Sequence, residues 1–243
     1  DAGKDLAAFY YMGARQPDPE TLNAIQFGKP LAEADCVHPD QLELMMQPGY
    51  LPHESGYCVF ENGIGYGAAY TRMPGVTPEA NQWWGPWHEQ DDLRYKCWCP
   101  GAHEKVGPHW AQENVGMGLE DLYMVERISC SQAGIPDEAV AACKNLIIMR
   151  ISNWLAKPVN GTANDRPIPL VVTHNIRKID DGIEYRTRFF IGMHYVGGKP
   201  KILLPPGTKC PEERAYGMAY HGAYEMATLR EILQPLYETY GQK

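Results

Sequence analysis

The stretch from 168 to 204 constrains this chain more than any other, because its apolar residues recur with period two and glycine-bearing turns divide it into three strands. Asp181-Gly182 turns a first strand (169–179) into a second (183–196), and Gly197-Gly198 turns the second into a third. A two-residue first turn sets position 180 opposite 183 and 174 opposite 189. One face then carries Val172, His174, Ile176, Thr187, Phe189, Ile191, Met193 and Tyr195, with Tyr185 on the same side; the other carries Asn175, Arg177, Glu184, Arg186 and Arg188. His174 is the polar exception on the apolar face. A helix over about 219–240 follows, its inner stripe Leu229, Ile232, Leu233 and Leu236 spaced at i, i+3, i+4 and i+7. Antiparallel strands closed by a long C-terminal helix predict an α+β fold.

Upstream the signals are weaker. Residues 1–52, rich in Pro, Asp and Gln, read as an irregular N-terminal extension on a single domain of residues 53–243. Residues 56–73 read as a hairpin about Asn62-Gly63. Its Gly63, Gly65 and Gly67 do not open a helix, so they form no phosphate-cradling loop. Thr77-Pro78-Glu79 starts a tryptophan-rich helix that Pro86 kinks or divides. A strand over 122–129, a short helix over 136–144 and a strand over 146–154 complete the reading.

Composition removes whole classes of partner. Net charge is −8, from 22 basic and 30 acidic residues, with no basic stripe to track phosphates, which excludes a nucleic-acid surface. The longest aliphatic run, 146–149, is far short of the ~20 residues that span a bilayer, so no membrane segment is expected. Seven cysteines without framework spacing read as reduced thiols in a cytoplasmic protein, with Cys58, Cys97 and Cys99 as packing groups. The start at Asp1 and the acceptor pattern Asn160-Gly161-Thr162 leave a removed secretion signal open. The 15 Tyr and 6 Trp against 5 Phe supply rings with polar tips, suited to a pocket for a flat, hydroxylated ligand. Self-association is left open.

Three groups of residues carry candidate chemistry. His221 and Glu225 are four apart and continue the inner stripe of the C-terminal helix, so both project inward and can chelate one metal. The alternative is a capping pair at a helix N-terminus. His109 and Glu113 repeat the spacing in a segment read as extended, where positions four apart are ~13 Å apart and do not share an ion. His88, after the tryptophan cluster, reads on its own as a packed, hydrogen-bonded core residue.

These residues fall within motifs that together resemble the phloretin hydrolase and diacetylphloroglucinol hydrolase family. The motifs are 72–79 (Arg-Met-Pro-Gly-Val-Thr-Pro-Glu), Trp83-Trp84-x-x-Trp87-His88, Asp92-Leu-Arg-Tyr-Lys96, Glu113-Asn-Val-Gly116, His174, Gly182-Ile-Glu and Ala219-Tyr-His-x-x-x-Glu225. The resemblance runs from about 45 to 240. It implies a helix-grip fold like that of the birch-pollen-allergen and START proteins, with a curved antiparallel sheet around the C-terminal helix. It also implies a zinc ion held by His88, Glu113, His221 and Glu225, with His174 as the catalytic histidine. Gly85-Pro86, where the family keeps a bulkier pair, and the short 88–113 interval depart from the pattern. The implied activity is hydrolysis of the carbon–carbon bond between an acyl group and a polyhydroxylated, phloroglucinol-type ring, on a small aromatic polyketide or flavonoid-like substrate. Tyr185 and Tyr195 are the candidate contacts to ring hydroxyls. Two readings stay open beside it: a changed reaction (cyclase, isomerase or decarboxylase on a polyketide-like phenol), and a non-catalytic carrier of aromatic ligands.

Overall fold

The computed structural model describes residues 2–115, 118–162 and 166–241; Asp1 and Gly116 lie outside the described residues. The chain opens with helices α1 (Ala2–Tyr11) and α2 (Pro19–Leu22), followed by short helical turns up to Met46. Strands β1 (Gly56–Val59) and β2 (Gly65–Pro74) form the expected hairpin. Next come α3 (Pro78–His88), α4 (Asp92–Trp98), the hairpin β3 (His103–Gly107) and β4 (Trp110–Asn114), β5 (Leu119–Ile128) and α5 (Asp137–Ala142). Strands β6 (Leu146–Pro158), β7 (Ile168–Ile179) and β8 (Gly182–Ile191), the small hairpin β9 (Met193–Val196) and β10 (Lys199–Ile202), and the helix α6 (Glu212–Tyr240) complete it. Thr77 caps α3 through its hydroxyl, and α3 runs through Pro86 without dividing.

Eight strands form one antiparallel sheet in the order β1-β2-β8-β7-β6-β5-β4-β3. In a flat sheet β2 and β4, five strand spacings apart, would be separated by roughly 24 Å at ~4.8 Å per strand, whereas the turn of α6 from Ala219 to Gly222 is only about 5 Å long. Yet α6 packs on β1, β2 and β8 and also meets Glu113 of β4, where His221 Nε2 lies 3.4 Å from a carboxylate oxygen. The sheet therefore curls around α6, which is the helix-grip-like arrangement. Small residues let the helix settle close. A Cβ at Gly67 would lie 3.1 Å from the Ala219 backbone nitrogen, and one at Gly222 would lie 2.7 Å from the Phe189 ring.

The β7–β8 register differs from expectation by two residues. Ile179 pairs with Gly182, so His174 stands opposite Thr187 rather than Phe189. Gly182 belongs to the strand because β2 presses on it: a Cβ there would fall 2.3 Å from the Met73 carbonyl oxygen. The turn is thus Asp180-Asp181. A shift of two preserves the faces, and His174 stays on the concave side. Beyond Gly192, whose φ of +99° only glycine adopts readily, that parity ends. Tyr195 lands in the core on the other side of the sheet, its hydroxyl donating to the Pro39 carbonyl at 2.6 Å.

The polar face predicted for β7 and β8 is buried beneath the segment around residues 42–54. Arg177 pairs with Glu184 at 2.5 Å, and Glu54 accepts from Arg186 and Arg188, each at 2.6 Å. Burial opposes the charge on Glu54, but the two guanidinium groups outweigh it and hold the carboxyl at about 2 against an ordinary 4.5. A depressed folded-state pKa contributes stability that is fully present above pH 4.5 and lost as pH falls through about 2. At pH 7, Glu54→Gln leaves two buried arginines without a counter-charge, for an expected loss of about 3–5 kcal/mol. Chemical denaturation measures it; an unfolding free energy within about 1 kcal/mol of the parent contradicts it.

Candidate metal centre

Two local pairs build the site. On α6, His221 and Glu225 sit one turn apart, and the helix begins as early as Glu212, so the pair lies well inside it and cannot cap its first turn. In the β3–β4 hairpin, His103 stands directly across from Glu113. Directly opposed strand residues keep their Cβ atoms about 4.5–5.5 Å apart, so the hairpin, like the helix, delivers one imidazole and one carboxylate to the same place. His221 Nε2 lies 3.4 Å from Glu113 and 3.6 Å from Glu225; His103 Nε2 lies 3.5 Å from Glu225 and 3.9 Å from Glu113. Single ligand atoms of His103, Glu113 and His221 all fall within 4.8 Å of one another. All four side chains are buried.

Neighbours set the ring orientation. His103 Nδ1 lies 3.2 Å from the Tyr95 carbonyl oxygen, to which it donates, so Nε2 keeps its lone pair. That Nε2 is buried with no hydrogen-bond partner. The Tyr95 ring stacks on His103 at 4.0 Å between centroids, and its hydroxyl donates to Glu113. Burial, with the charges of His221 and His88 adding, pushes His103 well below the ordinary histidine range. Burial also pulls His221 down, but the hydrogen bond to Glu113 and the charges of Glu225 and Glu113 outweigh it and hold the ring up to about 9. Glu225 is pushed up to about 8 by burial and by Glu113, against His221. The cluster is thus short of positive charge and draws protons to supply it. Two carboxylates and two imidazoles, one of them with an orphaned ring nitrogen, fit a divalent cation.

The cluster opens on a cavity of about 350 Å³, within the range of small-molecule sites. His174 lines it from β7, with Nδ1 2.9 Å from the Thr187 hydroxyl and the ring edge-on to Tyr185. Burial, with the charge of Arg150 adding, lowers His174 to about 3, so the ring is neutral. His88 also lines the cavity but is not one of the converging side chains. Its Nδ1 is 2.8 Å from the Trp84 carbonyl oxygen and its ring stacks on Trp84, the packed, hydrogen-bonded state read from sequence alone. His109 is exposed in the β3–β4 turn. Tyr185 is buried beside His174 with its hydroxyl donating to Asn81, and neither it nor Tyr195 lines the cavity. His103, Tyr95 and Arg150 were not singled out from the sequence. The signal for His103 was the Gly107-Pro108 turn, which folds 103 onto 113.

A helix-grip-like α+β protein with a buried His/Glu/His cluster opening on a small-molecule cavity is the class that fold and site define. The chain belongs to the DAPG hydrolase family: the profile described as "DAPG hydrolase PhiG domain" matches residues 38–140 and 107–238. Phloretin hydrolase of Eubacterium ramulus is 26% identical over 255 residues, covering 94% of this chain and 88% of that protein. 2,4-Diacetylphloroglucinol hydrolase of Pseudomonas protegens is 22% identical over 268 residues, covering 96% and 84%. A second 2,4-diacetylphloroglucinol hydrolase, from a Pseudomonas species, is 22% identical over 272 residues, covering 98% and 89%.

Proposed function

We propose that the chain is a zinc hydrolase that splits the bond between an acyl carbon and a polyhydroxylated aromatic ring, releasing a carboxylic acid and the phenol. One observation carries the reading: the four side chains His103, Glu113, His221 and Glu225 converge, and Glu113, His221 and Glu225 line a cavity that His174 lines too. His103 takes the ligand position that the family resemblance gives to His88. Zinc held there supplies Lewis acidity toward a substrate oxygen. An aryl–acyl bond breaks when the ring leaves as a stabilised carbon, which requires the phenol to pass to its keto tautomer with a proton added at the acylated ring carbon. His174 can move that proton. Thr187 occupies its Nδ1, and Nε2 is left to take a proton from a ring hydroxyl and return it to ring carbon. Water then adds to the acyl carbonyl; the carbon–carbon bond breaks toward the ring, which leaves as the phenolate and is reprotonated. Tyr95 orients Glu113.

A carrier has no use for two carboxylates buried at its cavity, since each costs several kcal/mol unless neutralised. Purified protein is incubated with acylphloroglucinols and dihydrochalcones, with metal content measured on the same sample. One zinc per chain and a phenol plus a carboxylic acid by mass spectrometry are expected. Metal-free protein of full activity, or a product that keeps the acyl carbon on the ring, contradicts the proposal. Among the described residues no helix is long and apolar enough to cross a membrane.

A further inference from the structure

The concave wall of β6 carries a cation with no salt-bridge partner among the described residues. Every other arginine on the sheet strands has a carboxylate partner: Arg72 has Asp181, Arg127 has Glu89, Arg177 has Glu184, and Arg186 and Arg188 share Glu54. Arg150 lines the cavity, and among the described residues no carboxylate or carbonyl oxygen accepts from it. It stands directly across from His174 in the β6–β7 register. Its guanidinium reaches over α3 at Gly85, where a Cβ would lie 3.3 Å from Nη2. The bare glycine gives the arginine its room. A half-buried guanidinium that lines a cavity, against α3 on one side and across from His174, is a fork of donors awaiting an oxyanion.

We propose that Arg150 is the anion contact of the cavity, holding an oxygen of the bound molecule, either the ring phenolate or the carboxylate released with the acyl group. The proposal rests on the function proposed above for the identity of the molecule, not for the presence of an anion. After burial, the charge of Arg150 also helps keep His88 and His174 unprotonated.

The test uses the metal-loaded protein, the variants Arg150→Met and Arg150→Lys, and two calorimetric probes, phloroglucinol and 3-phenylpropanoate. Loss of a charge-assisted contact in Arg150→Met is expected to weaken one probe about tenfold or more with zinc content unchanged, and a contact to the ring oxygen lowers kcat/KM similarly because the charge on that oxygen grows as the bond breaks. Arg150→Lys, which keeps the charge but not the fork, is expected to fall between. Loss on phloroglucinol assigns the contact to the phenolate, and loss on 3-phenylpropanoate to the carboxylate. If both variants bind both probes within twofold of the parent while the parent cleaves acylphloroglucinols, the Arg150 proposal is overturned and the hydrolase reading stands. If the parent binds an anionic probe in an Arg150-dependent way but cleaves none of the panel, the hydrolase reading falls and the anion site stands. A parent that binds neither probe overturns the anion site. Should Arg150→Met not fold, Arg150→Lys within twofold of the parent on both probes is enough to overturn it.

Discussion

His174→Ala is expected to retain fold and metal but to lose about 10²–10⁴ in kcat. The reason is placement: the ring lies on the cavity wall, half-buried, with one nitrogen engaged by Thr187 and no contact to the Glu113–Glu225 cluster. Removing it takes away a proton carrier and leaves the metal-binding groups untouched, so the cost falls on the chemical step. A purely structural histidine behaves in the opposite way. Its loss leaves a cavity and an unpaired Thr187, lowers the melting temperature, and leaves the folded fraction near full specific activity. Melting temperature, metal content and kcat on the same preparation separate the two. A kcat per metal-loaded molecule within a few-fold of the parent removes His174 from the reaction.

The second large effect is at α6. His221→Ala or Glu225→Ala takes one ligand from a site whose members are buried and mutually dependent, and is expected to abolish both metal retention and activity. Glu225→Gln is informative beside them. Without the metal, Glu225 is a buried carboxyl pushed up to about 8, so the neutral amide suits the apo fold while remaining a poor ligand. The expected result is a variant as thermally stable as the metal-free parent, with neither zinc nor turnover. Glu225→Gln that retains both contradicts the assignment.

Much of this was legible from residues alone, for physical reasons. Period-two alternation through β7 and β8 exposed His174 as the polar group on an apolar face, and the two-residue slip in register did not move it because strand faces repeat every two positions. The helical stripe from Leu236 back to His221 placed two of the four converging side chains, because i, i+4 geometry is local. His103 was hidden because its partnership with Glu113 depends on a hairpin of short strands without apolar alternation, and on packing of that hairpin against a helix over a hundred residues later. Tyr195 was misplaced because Gly192 turns the chain out of the parity that the alternation assumes. The arginine-rich face gave no sign that Glu54 and its neighbours cover it, since burial of a polar face by a distant segment leaves no periodic trace.

The ligand set is the centre of the account, and zinc stoichiometry in His103→Ala and His88→Ala, measured side by side by elemental analysis after dialysis against a weak chelator, tests it most directly. The geometry predicts that His103→Ala retains almost none while His88→Ala, whose ring is tied to the Trp84 carbonyl, retains about one zinc per chain as the parent does. Zinc lost from His88→Ala and kept by His103→Ala would contradict it.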